Sequence, residues 1–105
     1  MEVRVFESEQ KALEKIPSNS MISITVERRR ICIINKDNQL FALQDNCPHL
    51  GQSLHRGTLN YLNEVICPWH SYRFNYKTGE ESERRCQDAR IYQIEINDNG
   101  VFIKL

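Results

Sequence analysis

Any fold of this chain has to bring two short stretches together: Cys47-Pro48-His49-Leu50-Gly51 and Cys67-Pro68-Trp69-His70. Each pairs one sulfur donor with one imidazole, first as Cys-x-His and then as Cys-x-x-His, with 17 residues between His49 and Cys67. A finger-type zinc site groups its sulfurs in one hairpin and its imidazoles in another, whereas here each stretch supplies one of each. That order suits two metal ions side by side, one held by the two sulfurs and one by the two nitrogens. A single tetrahedral zinc is the competing arrangement. The candidate metal ligands are therefore Cys47, His49, Cys67 and His70.

The rest of the chain reads as strands. Val3 and Val5 alternate with charged neighbours, and Ile22, Ile24 and Val26 alternate with Ser23 and Thr25, the two-residue period of a half-buried strand. Ile31-Cys32-Ile33-Ile34 and Leu40-Phe41-Ala42-Leu43 are continuously apolar, as buried strands are, and the polar run from Asn35 to Gln39 between them supplies a turn. Near the C-terminus Tyr92, Ile94 and Ile96 are expected to share one face. Asp98-Asn99-Gly100 then turns the chain into Val101 to Leu105, Asn-Gly being a strong hairpin signal. One segment breaks the pattern: Ser8 can cap a short helix with Lys11 to Ile16 as its body and Pro17 as its end. The expectation is an all-β, small antiparallel barrel or sandwich with one short N-terminal helix. The ligand stretches fall between strands, where adjacent strands can hold two loop tips at one end of a sheet. Pro48 and Pro68 stiffen the tips, and Gly51 permits a turn that a side chain resists.

Composition narrows the function. At 105 residues the chain is read as one domain, residues 1–105. Fourteen basic residues balance fourteen acidic ones, which gives no hint of nucleic acid or of an anionic membrane as a partner. No run approaches the ~18 apolar residues of a spanning helix, and charges near Met1 stand where a signal peptide needs an apolar stretch. With two of the four cysteines in ligand-like motifs, the pattern favours metal binding in a reducing, cytoplasmic setting over a disulfide framework. Nothing resembles a nucleophile with its base or a phosphate loop.

The motifs and their flanks resemble the signature of Rieske iron–sulfur proteins: Asn46-Cys47-Pro48-His49-Leu50-Gly51, Leu54 and Gly57, Ile66-Cys67-Pro68-Trp69-His70, Phe74, and Thr78-Gly79-Glu80. The resemblance implies a Rieske-type β fold with two cluster-binding loops, the cluster-binding part lying at about 45–80, and one 2Fe-2S cluster as cofactor. It also implies that Cys47 and Cys67 bind the inner iron and that His49 and His70 bind the outer one. Two ferric ions, two sulfides and two thiolates sum to zero charge, so an electron enters more easily than in a four-thiolate cluster, within a class range of about −150 to +300 mV. Similarity to the ferredoxins of aromatic-ring dioxygenase systems implies a soluble, monomeric one-electron carrier. Its partners would be a flavoprotein reductase and an oxygenase-like acceptor, and it would itself be no catalyst. Two other readings are the small subunit of a nitrite-reductase-like complex, which shares this fold, and a metal-binding structural or sensor module.

Departures from that pattern carry information. High-potential members have two further cysteines in the loops, where this chain has Gln52 and Trp69, and Ser and Tyr hydroxyls against the cluster, where it has Tyr72 and Phe74. Phe74 cannot donate, so the potential is expected in the lower half of the class. Ser71 replaces the usual Gly after the second His, and Glu83 to Asp88 takes the place of a proline-bearing cover loop. Outside the motifs, His55 is expected to be an exposed loop residue and Cys32 a small buried hydrophobe. Cys86 is read as a free loop thiol, with a place near the cluster as the alternative. Trp69 either packs on the loop base or stands beside the cluster. Arg28-Arg29-Arg30 is expected in a solvated turn, with a docking patch as the alternative.

Overall fold

The computed structural model describes residues 1–49, 51–69 and 71–105; His70, one of the four candidate ligands, lies outside the described residues. Within these the strands are β1 (Glu2–Phe6), β2 (Ser20–Val26), β3 (Arg29–Lys36), β4 (Gln39–Gln44), β5 (Thr58–Leu59), β6 (Glu64–Ile66), β7 (Arg73–Asn75), β8 (Ile91–Asn97) and β9 (Gly100–Lys104). A six-stranded antiparallel sheet runs β1-β9-β8-β4-β3-β2, and a smaller one runs β5-β6-β7. This is the expected all-β architecture, a curled antiparallel half-barrel. Among the described residues no helix is long and apolar enough to cross a membrane.

β3 explains why its sequence is apolar without alternation. Ile31 and Ile33 join one core with Ile16, Ala42, Tyr92 and Ile103, while Cys32 and Ile34 face a second core with Leu43, Leu54, Val65 and Phe74. A strand covered on both faces has no polar side to show. The first core is closed by α1 (Glu9–Lys15), whose N-cap Ser8 accepts from the Lys11 N–H at 3.1 Å. The helix body starts directly after its cap, two residues before the expected Lys11, and ends at Lys15, the fully buried Ile16 being its extended C-cap rather than part of the body. Asn35, expected in the turn, is instead a buried strand residue whose amide donates to the Ile16 carbonyl at 2.7 Å.

The hairpins are tighter than the polar runs suggest. β2 and β3 are joined by Glu27-Arg28 (φ +50° and +66°), and β3 and β4 by Asp37-Asn38 (φ +51° and +68°), the two-residue turns whose twist matches the flanking strands. Arg29 and Arg30 therefore open β3 rather than lying in a turn. At the last hairpin the central pair is Asp98-Asn99, and Gly100 pairs with Asn97. Tyr92, Ile94 and Ile96 fall at alternate positions of β8, and Ile96, near the end of the strand, is 41% exposed.

The second core positions the candidate site. Everything from Asp45 to Ala89 is an excursion between the neighbouring strands β4 and β8. Its neck is closed by the Gln44 N–H donating to the Arg90 carbonyl at 2.8 Å and the Arg90 N–H donating to Gln44 Oε1 at 2.6 Å. A single 3-10 turn, Leu54–Arg56, seats the fully buried Leu54 against β2 and β3.

Candidate metal centre

The two ligand loops are built alike. The Cys47 N–H donates to the Gln52 carbonyl and the Cys67 N–H to the Tyr72 carbonyl, both at 2.7 Å and both across five residues. In each loop the residue four after the cysteine has a left-handed backbone, Gly51 at φ +74° and Ser71 at φ +55°. This accounts for glycine at the first position. Ser71 adopts the same conformation with a side chain, at a strain of about 1–2 kcal/mol. β6 delivers Cys67 to its loop, and Gly57 lets the chain between the loops pass close by: a Cβ there would lie 1.8 Å from the Ile66 carbonyl oxygen.

The structure brings Cys47 and Cys67 together. Both are buried, at 2% and 1% exposure, and their thiols are within hydrogen-bonding distance. Burial pushes the Cys67 thiol up to about 11, a rise opposed by the Trp69 backbone N–H, which donates to its sulfur. A metal arriving here therefore meets a protonated Cys67 thiol and displaces its proton on binding. His49 stands in the first loop with Nδ1 shielded from solvent and its ring flat on Tyr72, centroids 4.0 Å apart and planes 5° from parallel. Among the described residues no group of three or more His, Cys, Asp or Glu side chains is placed to hold a metal ion. Two buried thiols in contact, with the His49 imidazole carried on the first of their loops, are donor types that fit a cluster with unlike irons.

Several neighbours differ from expectation. Arg30 is no solvated turn residue. Its guanidinium donates to Asp45 Oδ2 at 2.8 Å and to Asn46 Oδ1 at 3.1 Å, and also to the Ser53 hydroxyl. His55 is not a free-standing loop residue either: its backbone N–H and ring Nδ1 both meet the fully buried Asp45 carboxylate, at 2.9 and 3.0 Å. Together they clamp the base of the first loop two residues before Cys47. Trp69 is 54% exposed, the arrangement of a ring presented outward rather than packed on the loop base. Cys32 is fully buried as expected, and burial pushes its thiol well above the ordinary value. Cys86 is a free, half-buried thiol packed against the core that holds Cys47 and Cys67, the alternative placement rather than a plain loop position. Glu83 to Asp88 does approach the cluster loops: Arg85 lies over the other face of Tyr72, 3.8 Å from its centroid.

Comparison with known proteins agrees with this geometry. Residues 7–96 match the family model described as the Rieske 2Fe-2S domain. The chain is 27% identical over 93 residues to the biphenyl dioxygenase ferredoxin subunit of Pseudomonas sp. (strain KKS102), covering 88% of this chain and 85% of that protein. It is 25% identical to human apoptosis-inducing factor 3 across 88% of this chain, but spans only 15% of that longer protein. In structure it is similar to the ferredoxin of carbazole 1,9a-dioxygenase from Nocardioides aromaticivorans IC177, with TM-score 0.83, 20% identity and coverage of 98% and 96% of the two chains. With most of its length matched and its cofactor thereby a Rieske-type 2Fe-2S cluster, the chain belongs to the Rieske 2Fe-2S domain family.

Proposed function

We propose that Cys47 and Cys67 hold one iron of the cluster, that His49 and His70 hold the other, and that residues 1–105 work as one cytoplasmic electron-carrying domain. The observation that carries this reading is the contact between two buried thiols on loops of matched closure, with His49 on the same tip. When bound, the cluster supplies a one-electron couple within a class range of about −150 to +300 mV. The chain's own residues do the rest. The N–H of Trp69 stabilises charge on the Cys67 sulfur, and Leu54, Val65 and Phe74 keep water from the sulfur side.

The ferredoxin subunit of biphenyl dioxygenase and the ferredoxin of carbazole 1,9a-dioxygenase support an electron path from a flavoprotein reductase to an oxygenase-like acceptor. Exposed Trp69 gives a partner an apolar ring to bury at the tip. Anaerobic purification followed by iron, sulfide and zinc analysis tests the site. The expected result is two irons and two sulfides per chain, a reversible one-electron reduction, and hyperfine coupling to two ligand nitrogens in the reduced state. C47S and C67S are expected to lose the colour. One equivalent of zinc without sulfide overturns the proposal and favours a structural or sensor module.

A further inference from the structure

The segment from Glu81 to Arg85 supports a column of side chains that ends on His49. At its foot Glu81, 1% exposed, accepts from the Arg85 backbone N–H at 2.8 Å, from Arg85 Nε at 3.1 Å and Nη2 at 2.8 Å, and from the Ser82 hydroxyl at 3.0 Å. That carboxylate is fully engaged, and it is tied to β7 through the Phe74–Glu81 bridge. The guanidinium it holds lies 3.8 Å from the Tyr72 centroid, and the opposite face of Tyr72 is stacked on His49. Three flat groups are thus layered in sequence. Parallel rings alone gain little from facing one another, whereas a cation on the far face draws electron density from Tyr72 and favours the arrangement.

We propose that Arg85 is a positioning residue for electron transfer: acting through Tyr72, it fixes the plane of the His49 ring and raises the reduction potential of the site. The proposal rests on His49 being an iron ligand. The ion pair is oriented, its positive end against Tyr72 and its negative end behind, so an added electron at the imidazole side meets the positive end first. Tyr72 also covers one face of His49, and a shielded site feels that charge more strongly than a wet one. Side-chain exposure of 35% at Arg85 places it at the outer edge of the column, where its effect is reduced but not abolished by solvent.

The test is potentiometric titration of the purified, cluster-loaded protein and of R85Q, R85K, Y72L and Y72F, with nitrogen hyperfine couplings measured on the reduced samples. Held at the wild-type midpoint, R85Q and Y72L are expected to show a reduced-to-oxidised ratio lower by about threefold or more, with altered nitrogen couplings and unchanged iron content. R85K, keeping the charge, should recover part of the shift, and Y72F, keeping the ring, should match wild type. Y72L leaves the Glu81–Arg85 pair in place, so it decides the matter if R85Q loads poorly. Wild-type potential and couplings in both R85Q and Y72L overturn the inference. A wild-type protein without two nitrogen couplings overturns instead the ligand assignment beneath it.

Discussion

Replacing Asp45 by Asn tests whether the first ligand loop is held by the clamp beneath it. The Asp45 side chain is fully buried and receives Arg30 at 2.8 Å, the His55 N–H at 2.9 Å and His55 Nδ1 at 3.0 Å. Asn keeps the shape but has one acceptor oxygen, and its amide N–H groups would face a donor. Hydrogen bonds to a charged partner contribute about 1.5–3 kcal/mol each, and breaking a buried pair costs about 3–5 kcal/mol. Because the Arg30 side chain is 44% exposed, water takes over some of its donors, which brings the expected loss to about 2–3 kcal/mol. For a domain of this size that is a fall of roughly 10–20 °C in midpoint. The assay is thermal unfolding under anaerobic conditions at one scan rate, with visible absorption and far-ultraviolet dichroism followed together. Cluster absorption in D45N should bleach at the lower temperature, since Cys47 follows the clamp by two residues. A midpoint within about 2 °C of wild type, with no change in the bleaching rate, would refute the clamp.

Other outcomes follow from single residues. Arg85 holds the Glu81 carboxyl far below the usual carboxylate range, so their pairing stabilises the fold above the unfolded value of about 4.3 and fades as the pH falls below it. E81Q should therefore be less stable than wild type at pH 7 and lose less between pH 7 and pH 3, as read by dichroism. G57A places a Cβ 1.8 Å from the Ile66 oxygen. The forced parting of β5 from β6 should cost about 2 kcal/mol or more and lower the iron content measured after purification. Protein-film voltammetry should give a potential in the lower half of the class range, below about +75 mV, because Phe74 is fully buried and has no hydroxyl to offer a sulfur. Introducing one with F74Y should raise it.

Alternation revealed β1 and β2, alternation with the Asn99-Gly100 turn signal revealed the last hairpin, and the unbroken apolar runs were legible as β3 and β4 because a strand between two cores has no polar face. The candidate ligands stood out for a different reason: metal chemistry admits few side chains, and Cys47, His49 and Cys67 stand in short, stiff motifs. The second layer was not legible. Arg30 sits in an arginine run whose neighbours Glu27 and Arg28 form a turn with no Asn-Gly signature, and its partners are brought near by distant pairings, Asp45 by β3 with β4 and Ser53 by its bridge to Asn46. His55 read as a loop residue because its acceptor lies ten positions earlier across a ligand loop. The Arg85 column carried one trace, Glu81 and Arg85 spaced by four with opposite charge, but the run around them had no helical or strand period to say which way they faced.

The closed neck at Gln44 and Arg90 has a consequence for how such proteins can be assembled. A segment that leaves and re-enters a sheet between two adjacent antiparallel strands disturbs none of the other pairings, so it is topologically a long hairpin tip. It can be swapped as a cartridge or mounted on a larger host without rewiring the strands that receive it, provided the incoming segment covers the face of β3 that Leu54, Val65 and Phe74 cover here.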